Sequence, residues 1–170
     1  MLLSFVEADL VANLTGLYMK KNILHEVLIC LLMLLFVYAG SSKLLDIKSF
    51  STGMRMQPFP LWLNTLLTYT LPVAEIMIAL GLGFGKTRIA ALYAYTVLML
   101  CFTGYTGLVI AGFFKTTPCG CGGIISGLSW GWHFIINLIF FTLTCIAIRL
   151  QYKSKIVMHN QGVSQKPVKE

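Results

Sequence analysis

Two cysteines separated by a single glycine are the residues of this sequence best suited to redox chemistry. Cys119 and Cys121 lie in the segment Pro118-Cys-Gly-Cys-Gly-Gly, which is rich in turn-forming residues. A disulfide that closes so small a ring departs from relaxed geometry, and a strained disulfide is the more easily reduced. Gly120 allows the backbone to accommodate that ring. The pair therefore indicates thiol-disulfide chemistry, and the pattern leaves open soft-metal binding and an inert or static loop.

Positive groups surround the cysteine pair in the sequence. An apolar segment begins just after the pair, so the N-terminal end of its helix points toward the cysteines. His133 lies one turn into this helix, and Lys115 precedes the loop. Such surroundings favour the reactive thiolate form of a cysteine, and His133 is a candidate for proton transfer. The alternative is a histidine that anchors the helix at the membrane interface beside Trp130 and Trp132.

Four further polar residues lie in or beside apolar segments, where charge is expensive. Glu75 is predicted to pair with a polar group on a neighbouring helix, to relay a proton, or to hydrogen-bond a quinone. Lys43 and Asp46 are three residues apart on one helical face, which predicts a local ion pair or a role in orienting the cysteine loop. Asn137 lies one turn beyond His133 on the same face and is predicted to make an interhelical hydrogen bond or to fix the imidazole.

Composition then decides which class of protein must position these residues. The chain has 170 residues, of which 57% are hydrophobic and only 11% are charged. A soluble globular domain carries about 25% charged residues, so too few charges remain to coat a surface that faces water. A soluble enzyme, a disordered linker and a nucleic-acid-binding domain are therefore excluded. The composition predicts an integral membrane protein with the lipid bilayer as its surroundings.

Four apolar segments form the predicted architecture. Helices are expected at about 23–45, 61–84, 88–114 and 128–149, each long enough to cross a hydrocarbon core of about 30 Å. Short loops favour antiparallel neighbours, so we predict an all-α integral membrane protein, a four-transmembrane-helix bundle over residues 22–150. Residues 1–21 are predicted to form an N-terminal amphipathic interfacial helix. Residues 151–170 are predicted to be a basic, disordered cytoplasmic tail.

The distribution of lysine and arginine predicts the orientation of the bundle. With both termini in the cytoplasm, nine basic residues lie on that side and four on the other, which follows the positive-inside rule. This places the cysteine pair outside the cytoplasm, and we predict that the protein lies in the cell's inner membrane. The cytoplasmic set is Lys20, Lys21, Lys86, Arg88, Arg149, Lys153, Lys155, Lys166 and Lys169, and the opposite set is Lys43, Lys48, Arg55 and Lys115.

Three motifs follow one another along the chain. They are Tyr38-Ala-Gly-Ser-Ser-Lys43 with Asp46 and Phe50, then Leu71-Pro-Val-Ala-Glu75 with Gly81, then Pro118-Cys-Gly-Cys-Gly-Gly with Trp130, His133 and Asn137. In this order and spacing they resemble the MauE/DoxX-like family of small membrane proteins, in the redox-associated form found in Bacteroidota. The resemblance covers roughly residues 23–150.

The resemblance implies a bundle related in layout to vitamin K epoxide reductase and to DsbB-type proteins. It also implies a thiol-disulfide oxidoreductase that forms or transfers disulfides for exported proteins. Cys119 and Cys121 would then cycle between dithiol and disulfide, with His133 assisting proton transfer. The partner would be a periplasmic thioredoxin-like protein or an exported cysteine-containing substrate, and a quinone or another acceptor would take the electrons.

One feature departs from the DsbB-type pattern, which relays electrons through two cysteine pairs. This chain has one outer pair, and its other cysteines, Cys30, Cys101 and Cys145, lie in apolar segments. We predict that these three are buried packing residues and that none resolves the outer pair. A separate thioredoxin-like partner or direct contact with a quinone is then required.

Two other functions are consistent with the sequence. The first is a noncatalytic membrane subunit that anchors or assembles a partner complex through the surface of its bundle. The second is soft-metal binding or transport by Cys119, Cys121 and His133, because thiolates select ions such as Cu(I).

Overall fold

The computed structural model describes the backbone of residues 2–114 and 129–164, and the side chains of residues 23–114 and 129–152. Within these residues the structure contains only helices and the turns that join them. The helices are α1 (Leu2–Leu45), α2 (Ile47–Arg55), α3 (Leu61–Gly83), α4 (Arg88–Ile110) and α5 (Trp130–Ser164). Four of them contain spans long and apolar enough to cross a membrane: Ile23–Leu45, Leu61–Gly83, Arg88–Ile110 and Trp130–Tyr152.

The four long helices pack as a closed ring. Helix α1 contacts α3, α3 contacts α4, α4 contacts α5, and α5 returns to α1. The core between them is apolar, and within it the Phe36 and Tyr95 rings stack with centroids 3.8 Å apart. The predicted fold class, an all-α membrane bundle with four spans, is confirmed. We call the end where α4 stops and α5 starts the loop end, because residues 115–128 connect the two helices there.

Helix α2 is an element that the sequence-based boundaries do not contain. The turn at Asp46 ends α1, and the Asp46 carboxylate accepts a hydrogen bond of 3.1 Å from the backbone N–H of Ser49. This is an N-cap, which satisfies one of the free donors at a helix start. Phe50 and Met54, four residues apart on one face of α2, are buried. The short helix therefore packs inward onto the bundle.

Two helices extend beyond the predicted membrane domain. The backbone of α1 is continuous from Leu2, so no break separates residues 1–21 from the first span. The backbone of α5 is helical to Ser164, which differs from the disordered tail predicted for residues 151–170. Propagation of an existing helix costs little once its first turn is formed, and no proline interrupts either stretch. The interfacial position of residues 1–21 stays a prediction.

A glycine sets the distance between α1 and α3. A Cβ atom added at Gly40 would lie 2.9 Å from two side-chain carbons of Ile76 and 3.0 Å from the carbonyl oxygen of Pro72. Both distances are shorter than a normal van der Waals contact. Small residues that permit close approach are a general feature of helix pairs in membranes.

We therefore expect Gly40→Val to weaken the packing of α1 on α3 and to lower the free energy of unfolding by about 1–3 kcal/mol. Thermal unfolding of the detergent-solubilised protein measures this. Gly104→Val is the matched control, because a Cβ at Gly104 meets no atom within 4 Å. Equal stability losses in the two variants would show that the helix contact at Gly40 is not the cause.

Candidate functional site

The bundle contains a cavity of about 440 Å³ toward its loop end. All five helices contribute to its walls, which are mostly apolar. Pockets of this size, lined by apolar groups with a few polar ones, are typical of small-molecule sites. Its principal polar lining residues are Lys43, Gln57, Glu75, Tyr105, His133 and Asn137.

A buried ion pair lies in the wall of this cavity. The Lys43 Nζ atom is 2.5 Å from Glu75 Oε1 and 2.7 Å from Glu75 Oε2. The side chains are 10% and 1% exposed, respectively. Glu75 is fourteen residues after the start of α3 and eight before its end, which places it about 21 Å and 12 Å from the two ends. A charge at such depth is costly unless it is paired, and the pair joins α1 to α3.

The predicted ion pair between Lys43 and Asp46 is therefore wrong. The prediction assumed a helix that continues through both residues, but α1 ends at Leu45. Asp46 lies at the turn after that end, and its carboxylate caps α2 instead. Of the three roles considered for Glu75, pairing with a polar group on a neighbouring helix is the one that the structure shows.

Aromatic rings surround the Lys43 ammonium group. Its Nζ atom lies 5.8 Å from the centroid of the Phe50 ring and 5.9 Å from that of the Phe102 ring. These distances are within the range of cation–π attraction. Phe50 comes from α2 and Phe102 from α4, so the two helices enclose the charge that α1 supplies.

A second polar contact lies at the loop end of the cavity. The Tyr105 hydroxyl donates a hydrogen bond to Gln57 Oε1, and the Gln57 amide donates one of 3.0 Å to the carbonyl of Gly53. The centroid of the Tyr105 ring is 5.8 Å from that of Phe114 and 6.1 Å from that of Trp130. This aromatic cluster connects the end of α4 to the start of α5 and to the turn after α2.

The predicted site residues fall into two groups. His133 and Asn137 both line the cavity from α5, and the His133 ring lies 6.2 Å from that of Trp130. Lys115, Cys119 and Cys121 lie outside the described residues. The alternative metal site, formed by Cys119, Cys121 and His133, therefore includes two residues that lie outside the described part of the chain. Within the described part of the chain, no group of three His, Cys, Asp or Glu side chains could hold a metal ion.

The remaining cysteines differ from the prediction that they are buried. Cys30 and Cys101 are exposed, and Cys145 is half-buried. Cys101 also lines the cavity. Long apolar helices in a small bundle must turn many side chains to lipid, so an apolar environment in the sequence does not by itself imply burial in the protein.

A separate polar cluster lies at the opposite end of the bundle. Arg88 Nη1 is 2.6 Å from Glu26 Oε1, and Arg88 Nε donates a hydrogen bond of 3.2 Å to the carbonyl of Leu82. The Nδ1 atom of His25 is 3.5 Å from the same Glu26 oxygen. These contacts join α1, α3 and α4 and take no part in the cavity.

We expect removal of one member of the Lys43–Glu75 pair to be strongly destabilising. Glu75→Leu leaves a buried ammonium group without its partner and should cost about 3–5 kcal/mol of unfolding free energy. The double variant Lys43→Met with Glu75→Leu removes both charges and should be markedly more stable than the single variant. Thermal unfolding in detergent measures both, and a double variant no more stable than Glu75→Leu would contradict the pairing.

Comparison with known proteins identifies a family. The family model described as methylamine utilisation protein MauE matches residues 21–150, which is most of the chain. The matched range contains the ion pair, the aromatic cluster and the cavity, together with Cys119 and Cys121. No curated protein and no solved structure matches the chain significantly.

Proposed function

The chain belongs to the family of methylamine utilisation protein MauE, and we propose that it is a membrane thiol-disulfide redox protein. Cys119 and Cys121 form the redox pair. They exchange electrons with a thioredoxin-like protein or an exported cysteine-containing substrate through a mixed disulfide. The excess of basic residues on one side supports cytoplasmic termini, with the pair facing the periplasm from the inner membrane.

The position of the cavity next to the loop end supports this proposal best. Phe114 precedes Cys119 by five residues, and its ring contacts Tyr105 in the cavity wall. Five residues of fully extended chain span at most about 18 Å. Covalent geometry therefore keeps Cys119 within that distance of Phe114, and so close to a cavity that suits an apolar redox partner.

The residues of the cavity fit a quinone. The rings of Phe36, Phe50 and Phe102 provide flat apolar walls, and Lys43 and His133 can donate hydrogen bonds to carbonyl oxygens. Oxidation of two thiols to a disulfide releases two electrons and two protons, and a bound quinone would accept both. His133 would receive a thiol proton from the loop.

The decisive test is exchange by cysteine variants of the full chain. Cys119→Ser and Cys121→Ser should each abolish disulfide exchange with a reduced thioredoxin-like protein, because either change removes the internal disulfide. Thiol trapping in intact cells should then detect a mixed disulfide in one of the two variants. Cys30→Ser is the matched control and should leave exchange unchanged.

Unchanged exchange in both single variants would reject the proposal. With membrane expression intact, that result would favour a noncatalytic subunit that assembles a partner complex.

His133 provides an independent prediction. His133→Phe should lower the rate of thiol oxidation by about a hundredfold and flatten its pH dependence, because a positioned proton acceptor is lost. His25→Gln is the control, since His25 lies with Glu26 at the opposite end of the bundle. Equal rates in the two variants would remove His133 from the mechanism.

A further inference from the structure

The charges that line the cavity balance one another. Among the described residues that line it, Lys43 and Glu75 are the only lysine, arginine, aspartate or glutamate side chains. They lie within 2.5 Å of each other and are largely shielded from solvent. A charged ligand would therefore bring an uncompensated charge into an apolar space, which is unfavourable. The cavity suits an uncharged ligand.

Lys43 retains the capacity to bind such a ligand. Its ammonium group has three N–H donors, and the contacts with the two Glu75 oxygens engage two of them. A lysine has no acceptor, so a third contact requires an acceptor atom on the ligand. Glu75 is 1% exposed and holds the ammonium group through both of its oxygens. Glu75 thus acts through Lys43 and is a positioning residue.

The shape of the cavity favours a ring. Phe50 and Phe102 lie on α2 and α4, each with its ring centroid within 5.9 Å of Lys43 Nζ. Phe36 lines the same cavity from α1. Aromatic walls next to a buried donor select a flat ring that carries an acceptor at its edge.

We propose that Lys43, positioned by Glu75, makes the cavity selective for an uncharged ring that carries a hydrogen-bond acceptor. This rests on the proposed function, in which a quinone uses the cavity, and it assigns the recognition of the ligand to two residues. The selectivity disfavours plain hydrocarbon rings, which lack the acceptor, and excludes carboxylates, which carry a charge.

Binding of three matched probes tests the proposal. The probes are tetramethylbenzoquinone, tetramethylbenzene and tetramethylbenzoate, which differ in the acceptor and in the charge. The protein is the detergent-solubilised full chain with Cys119→Ser and Cys121→Ser, so thiol chemistry cannot contribute. Trp62→Phe and Trp132→Phe leave Trp130, a lining residue, as the fluorescent reporter.

Binding of the quinone is measured by quenching of Trp130 fluorescence. Binding of the other two probes is measured by their competition with the quinone. We expect the quinone to bind at least about tenfold more tightly than tetramethylbenzene, as expected for a hydrogen bond from a charged donor. Tetramethylbenzoate should not compete. Each probe partitions into detergent to the same extent whichever variant is present. This effect therefore cancels when the binding of one probe is compared between variants.

Two variants separate recognition from folding. The double variant Lys43→Met with Glu75→Leu leaves no unpaired charge, so it should fold and keep its affinity for tetramethylbenzene. Its preference for the quinone should fall about tenfold. Glu75→Gln leaves the Lys43 charge without a counter-ion, and this variant should gain binding of tetramethylbenzoate. A merely structural role for the pair predicts no such gain.

An unchanged preference for the quinone in the double variant would overturn the proposal. The same holds if Glu75→Gln fails to bind tetramethylbenzoate while it still binds tetramethylbenzene. Disulfide exchange by the protein with both cysteines present is measured separately. If disulfide exchange persists but the cavity does not discriminate between the three probes, this inference is overturned and the proposed function stays intact.

Discussion

The ion pair between Lys43 and Glu75 is the constraint on which the loop end of the bundle depends. Two charges deep in a membrane span are tolerated only when they neutralise each other at close range. That range requires α1 and α3 to approach closely, and Gly40 permits the approach one turn before Lys43. The pair then places two opposite charges in the wall of a mostly apolar cavity. Helix packing, charge balance and the chemistry of the cavity are therefore set by the same contact.

The cavity forms because α3 extends further toward the loop end of the bundle than α1 does. Gly40 lies five residues before the end of α1, yet it faces Pro72, which is eleven residues inside α3. At a rise of 1.5 Å per residue, α3 therefore extends about 9 Å beyond the end of α1. Helix α2 occupies the space so created, and its buried Phe50 and Met54 line the cavity. The N-cap at Asp46 begins this helix immediately after α1 ends.

The spans could be predicted because their cause is local, whereas the site contacts depend on tertiary structure. An apolar stretch of about twenty residues has few options other than a membrane helix, and all four predicted spans are present. The partner of Lys43 depends on where α1 ends, and the apolar stretch alone does not mark that residue. The hydrogen bond between Tyr105 and Gln57 joins residues 48 positions apart, which no helical periodicity reports. The amphipathic spacing of Phe50 and Met54 after Asp46 is the signal that could have indicated α2.

The proposed function also bears on the single cysteine pair that we predict to face outward, where DsbB-type proteins use two. In that function, a second pair would be needed only if the electron acceptor lay beyond the reach of the first. Here the cavity begins at Tyr105 and Trp130, whose rings contact each other near the end of α4 and the start of α5. On the other side of the ion pair the core is filled by residues such as Leu32, Leu82 and Leu92, each fully buried. Electrons from a pair at the loop end would therefore have a short path into the cavity and a closely packed core beyond it. Under the proposed function a single pair would therefore suffice, because the donor and the acceptor would meet at the same end of the bundle.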